Sequence, residues 1–168
     1  NLGNTLRALG NIKAAEKSYK KAIEFKSDFY DAHNNLGTVL KELEKLDEAG
    51  VSFRRAIELK SDHAEAHNNL GVVFKELGKL EKAEECYRQA IKFNSDYAEA
   101  HGNLAMLLLG NSKEELALQG IKKAVEIDPN SKKHTLLLRV LSSKRPAKKQ
   151  FNATCDNVTP SYHSLLEF

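Results

Sequence analysis

The chain of 168 residues has no tryptophan, one methionine, three prolines and two cysteines. So little proline, beside only 9 glycines, excludes a collagen-like chain and a proline-rich linker. Cys86 and Cys155 cannot build a disulfide framework, so reduced thiols in a reducing compartment are expected. Long apolar runs are missing too. The longest, Leu104 to Leu109, has 6 residues, far short of the roughly 18 that a membrane span needs. The chain opens on Asn1, with neither Met nor a signal-type apolar segment. A cytoplasmic segment of something longer is the expectation, with a nuclear location as the alternative. At 41% hydrophobic and 29% charged, the composition supports a packed core rather than a wholly disordered chain.

A strong excess of one charge is also absent from most of the chain. Residues 1–131 carry 19 Lys+Arg against 21 Asp+Glu, while residues 132–168 carry 7 against 2. The main body therefore offers no basic stripe, and no nucleic-acid partner is expected.

What the chain has in quantity is itself. Asn34-Asn35-Leu36-Gly37 returns as Asn68-Asn69-Leu70-Gly71 and again as Gly102-Asn103-Leu104-Ala105, with Asn1-Leu2-Gly3 as a truncated first copy. The spacing is the same each time, from Asn1 to Asn35 to Asn69 to Asn103. A second half-pattern keeps step: Ala15, Tyr19, Ala22; Ala49, Phe53, Ala56; Ala83, Tyr87, Ala90; Ala117, Ile121, Ala124. Polar turns close the units at Ser27-Asp28, Ser61-Asp62, Ser95-Asp96 and Asp128-Pro129-Asn130. Apolar period 3.6 makes each unit two amphipathic helices, about Ala64 to Leu77 and Leu80 to Phe93 in the third, turned at Gly78-Lys79. Asp62 with Glu65, and Asp96 with Glu99, have capping-box spacing. Gly37, Ala49 and Ala56 let helices approach, and Leu36, Leu40, Phe53 and Leu59 fill between them.

The period and these residues resemble the tetratricopeptide repeat (TPR) family. Leu36, Gly37, Ala49, Phe53 and Ala56 fit its signature, as do Leu70, Gly71, Ala83, Tyr87 and Ala90. The fourth unit keeps Leu104, Ala117, Ala124 and Pro129, with Ala105 in place of Gly and Ile121 in place of the aromatic. The array is most similar to the superhelical TPR arrays of O-linked N-acetylglucosamine transferase-like proteins. The resemblance implies an all-α fold, a right-handed α-solenoid of antiparallel helix pairs with about four repeats. Its bounds would be 1–131, as a partial repeat 1–29 and full repeats 30–63, 64–97 and 98–131. Residues 132–143 read as a capping helix starting after Ser131, and 144–168 as a basic linker and mostly unstructured tail or the start of another domain.

The resemblance also implies that the first helix of each unit lines a concave groove. Asn1, Asn35, Asn69 and Asn103 would stand there as a ladder. A carboxamide both donates and accepts, so it can hold the backbone of an extended peptide whatever its sequence. Copying of a common Asn-Leu-Gly consensus explains the ladder equally well. Arg7, Lys41 and Lys75 would add positive charge, and Asp31, Glu65, Glu99, Glu42 and Glu76 negative charge. Glu65 and Asn69, or Glu99 and Asn103, stand where chaperone-binding members carry Lys and Arg, which argues against a Hsp90-type carboxylate tail.

No constellation for catalysis stands out, and no metal or other cofactor is implied. His33, His67 and His101 recur once per unit, a separation too wide for a shared metal, so packing histidines are expected. Cys86 reads as a small packing residue. Lys144-Arg145-Pro146-Ala147-Lys148-Lys149 resembles a nuclear-import signal but reads better as a solvated linker, and Asn152 and Asn157 begin glycosylation patterns that matter only on secretion. The expected function is a non-enzymatic scaffold that binds a protein or peptide in its groove, with no membrane partner. The alternative is the substrate-recruiting arm of a larger enzyme such as a glycosyltransferase. Self-stacking of arrays end to end is a third reading.

Overall fold

A computed structural model describes residues 2–143. Among the described residues the chain forms nine α-helices. They are α1 Leu2–Ala8, α2 Ile12–Phe25, α3 Tyr30–Glu42, α4 Leu46–Leu59, α5 Ala64–Glu76, α6 Leu80–Phe93, α7 Ala98–Gly110, α8 Glu114–Ile127 and α9 Lys132–Ser143. Each helix packs on the next in the chain, and α3 also touches α5. The result is the expected all-α helical repeat array: α1, α3, α5 and α7 form one layer and α2, α4, α6 and α8 the other. Asn1 and the 144–168 tail lie outside the described residues, and with them Cys155, the import-like segment and both glycosylation patterns.

The turn inside each pair is set by a backbone rule. Gly10 and Gly78 have φ near 76° and 73°, the left-handed region that ends helices. At Gly78 the amide donates to the Lys75 carbonyl, and the Lys79 amide reaches back to Phe74 O at 2.8 Å. This paired bonding, the Schellman motif, satisfies carbonyls that the helix end leaves open. The same bonds recur around Glu44 and Ser112, which hold φ 61° and 58° without being glycine.

The seam inside each pair rests on a small residue facing a large one. A Cβ on Gly3 would lie 2.6 Å from the Tyr19 ring, on Gly37 2.7 Å from Phe53, and on Gly71 2.7 Å from Tyr87. Those rings are among the most buried side chains of the molecule. In the fourth pair Ala105 and Ile121 pack in one cluster. The two departures from the signature therefore compensate: one more carbon on α7 is met by a smaller side chain on α8. Ala49, Ala56, Ala83, Ala90, Ala117 and Ala124 are fully buried, Leu36, Leu70 and Leu104 are buried, and Pro129 is exposed in its turn. Leu59, expected as filler, is only half-buried.

The capping boxes do not form as expected. The residues before α5 and α7 are His63 and Tyr97, one place later than Asp62 and Asp96. His63 Nδ1 accepts from Ala66 N at 3.3 Å, and the Asp96 amide is already held by Asn94 Oδ1 at 3.1 Å. Both aspartates thus belong to the inter-repeat turn.

Helix α9 packs on α8. Leu141 is buried, and Leu137 and Leu138 pack onto Ala105, Leu118, Ile121 and Ala124. Gly102 replaces the asparagine that Asn34 and Asn68 supply in earlier repeats, and the His134 imidazole fills the notch. A Cβ on Gly102 would come within 2.8 Å of His134 Cδ2.

Candidate functional site

The outer stripe of the first helices is fixed by what the inner stripe buries. On α7 the core takes Leu104, Ala105, Leu107 and Leu108, leaving Glu99, Met106 and Gly110 exposed and Leu109 half-buried along the other side. The equivalent stripes are Glu65, Asn69, Val72 and Lys75 on α5, and Asp31, Asn35, Thr38 and Lys41 on α3. Bonds between repeats run along this face. Arg7 Nε and Nη2 both meet Glu42 Oε1, at 2.8 and 2.6 Å. Asn34 Nδ2 donates to Glu65 Oε1 at 3.0 Å.

The asparagine ladder is double, and its two rails differ. Asn34 and Asn68 are buried, a role that sequence reasoning missed because it weighed only the second asparagine of each pair. Asn69 Nδ2 donates to Asn34 Oδ1 at 3.3 Å, and Asn103 Nδ2 to Asn68 Oδ1 at 3.0 Å. Asn68 Nδ2 in turn reaches Tyr97 Oη at 3.5 Å. The repeated Asn-Asn dipeptide was the available signal. Asn35 and Asn69 are half-buried and Asn103 is buried. Among the described residues, the side-chain oxygens of Asn35, Asn69 and Asn103 accept no hydrogen bond. Each could therefore accept an amide from a ligand.

The charged groups are engaged unequally. The Glu42 hydrogen bond raises the Arg7 guanidinium above its ordinary range. The pair is largely exposed, so its contribution to stability is small, about 0–1 kcal/mol. Among the described residues no carboxylate pairs with Lys41 or Lys75. A pocket of about 310 Å³ lies between Asn4, Arg7, Ala8 and Glu42.

The histidine ladder has a structural use on the opposite side. His33, His67 and His101 Nε2 contact the carbonyls of Ser27, Ser61 and Ser95 at 3.0, 2.9 and 2.9 Å. A carbonyl only accepts, so Nε2 carries the proton and is not free for a metal. Among the described residues no three His, Cys, Asp or Glu side chains gather as a metal site. His33 and His67 floor clefts between neighbouring second helices. One of about 510 Å³ is lined by Ile23, His33, Leu36, Val51 and Arg55, and its counterpart of about 360 Å³ by Ile57, His67, Leu70, Cys86 and Gln89. Burial pushes the Cys86 thiol up to about 11, so it stays protonated and unreactive at neutral pH. Among the described residues no helix is long and apolar enough to cross a membrane.

No curated protein sequence matches the chain. Solved structures do match in fold. A crystal structure of MamA aligns with TM-score 0.73 and 20% identity, over 85% of this chain and 84% of that one. PilF of Pseudomonas aeruginosa gives TM-score 0.79 and 24% identity, over 85% and 65%. The first TPR of Spaghetti (RPAP3), bound to an HSP90 peptide, gives 0.64 and 21%, over 68% and 90%. The tetratricopeptide repeat family pattern matches residues 64–97 and 98–131, and a TPR repeat pattern matches 3–43 and 38–78. The chain belongs to the tetratricopeptide repeat family.

Proposed function

We propose that the chain is a protein-interaction scaffold that holds an extended peptide or partner segment along the stripe of α1, α3, α5 and α7. One observation carries the reading: the ladder's carboxamide oxygens and the ammonium groups of Lys41 and Lys75 are left without partners, among the described residues, on one continuous face. Asn35, Asn69 and Asn103 would accept backbone amides of the ligand, while Lys41 and Lys75 would select its charge. Arg7 contributes through its pair with Glu42, and Asn1 would extend the ladder at the near end. A likeness of fold alone does not supply a ligand, so the reading rests on these side chains. Glu65 and Glu99 favour a partner other than an HSP90-type tail.

The test uses Asn35, which makes no side-chain bond of its own among the described residues, so that folding is spared. The full chain, its Asn35→Ala variant and an Arg55→Ala control on the opposite face are used to capture partners from source-cell lysate. Loss of partners with Asn35→Ala alone is the expected result. Equal capture by all three proteins would overturn the proposal.

A further inference from the structure

The stripe is not uniform along its length. At one repeated position it reads Asn4, Thr38, Val72, Met106 and then Val140; at another it reads Arg7, Lys41, Lys75 and Leu109. It therefore passes from polar and basic at the α1 end to apolar at the α7 end. From Leu104 to its end at Gly110, helix α7 carries no polar side chain: its core side is leucine and its outer side carries Met106. A stretch of helix that is apolar all round is ordinarily buried on all sides. Here Met106 is 43% exposed, with Val140 of α9 equally exposed at the next repeated position. Val72 and Leu109 flank it and pack partly on the Leu104, Leu107 and Leu108 cluster. Methionine suits such a surface, because its flexible, polarisable chain adapts to differing partners.

Beside this patch stands a cation without a counter-charge among the described residues. Arg7 shows what the position does when a carboxylate is available, since it grips Glu42 of the next first helix. Lys41 has Glu76 at the corresponding place in the repeat, though among the described residues the two do not pair. Lys75 has Gly110, which leaves open space. The carboxylates of Glu65 and Glu99 lie at the other ends of their helices, about 15 Å away along the axis at 1.5 Å per residue, and Glu65 is already held by Asn34. Accordingly a ligand must supply both the apolar cover for Met106 and the negative charge for Lys75.

We infer that this end of the groove is a two-part docking site, and that its partner is an extended peptide carrying a large apolar side chain next to an acidic one. The apolar side chain covers Val72, Met106 and Leu109, and the acidic side chain takes the Lys75 ammonium at the place where Glu42 takes Arg7. This rests on the groove reading above and names the chemistry of its ligand. Charge complementarity sets which peptides bind, and burial of the apolar anchor supplies most of the affinity.

The test is an array of random octapeptides, capped at both ends to remove terminal charges, probed with the full chain. Four variants are probed in parallel: Lys75→Glu, Met106→Gln, Asn35→Ala and, on the opposite face, Arg55→Glu. The expected binders place Leu, Met or Phe beside Asp or Glu. Lys75→Glu and Met106→Gln should each weaken them about tenfold, and Lys75→Glu should shift selection toward Lys or Arg beside the apolar residue. Arg55→Glu should change nothing. Binders that need Asn35 but ignore Lys75 and Met106 would overturn this inference and leave the groove reading standing. Binders that require an uncapped C-terminal carboxylate would overturn it too. An array with no binder sensitive to any groove variant would overturn both.

Discussion

Gly71→Ala is a small change with a cost that the fold makes predictable. The new Cβ would sit 2.7 and 2.8 Å from two carbons of the Tyr87 ring and 3.2 Å from Cys86 Cβ. Relaxed carbon contacts lie near 3.5–4.0 Å, so something must move by about 1 Å. Tyr87 is fully buried between α5 and its neighbours, so the ring has no free direction to take. Overpacking of this kind costs about 1–3 kcal/mol. The fourth repeat supplies the remedy, since Ala105 there faces Ile121. Gly71→Ala combined with Tyr87→Ile should therefore cost less than the two single changes summed, with a coupling of about 1–3 kcal/mol. Urea unfolding followed by helical circular dichroism, on the wild type, both singles and the double, closes the cycle. Additive losses, with a coupling below about 0.5 kcal/mol, would refute the small-against-large seam.

Three further outcomes follow from the same geometry. Tyr19 Oη bonds Asn4 Oδ1, whereas Tyr87 Oη is buried with no partner among the described residues, because Val72 stands in the matching place; Tyr19→Phe should lose about 0.5–1.5 kcal/mol and Tyr87→Phe should lose nothing or gain, by urea midpoints. Ser112→Gly should stabilise by about 1 kcal/mol, since a left-handed φ suits glycine, and an unchanged thermal midpoint would contradict this. Burial holds the His134 imidazole below its usual 6.5, helped by Lys133 and opposed by Asp128 and Glu99. The unfolded chain thus takes up this proton first as pH falls. Stability present above pH 6.5 is lost progressively below it, and His134→Gln should lose less between about pH 7.5 and about pH 5.5.

The repeat was legible because an even spacing, kept from Asn35 to Asn69 to Asn103, survives substitution at any single position. Helix bounds in the third unit followed from apolar period and from Gly78. The same turn was harder to see at Glu44 and Ser112, because there the backbone holds a left-handed residue that composition does not announce. Ala105 and Ile121 read as two separate departures, and only their contact across α7 and α8 makes them one exchange. Asp62 and Asp96 had the right spacing for caps, yet the next residue, His63 or Tyr97, takes the capping place, a difference of one residue that pattern cannot resolve. The groove stripe was placed by resemblance. What sequence reasoning lacked was its division of labour: Asn34 and Asn68 join the repeats, Arg7 is spent on Glu42, and Lys75 is left facing Gly110. Each of these depends on which atoms from different repeats meet.

The claim that partners lie along the first helices is tested most directly by where a bound partner touches the chain. A photo-crosslinking amino acid would be placed at Thr38, midway along the stripe, and in a second protein at Arg55 on the opposite face. Both proteins would be irradiated in source-cell lysate. The account predicts a discrete adduct from the Thr38 position, reduced by Asn35→Ala, and none from Arg55. An adduct from Arg55 alone would move binding to the clefts between the second helices and contradict it.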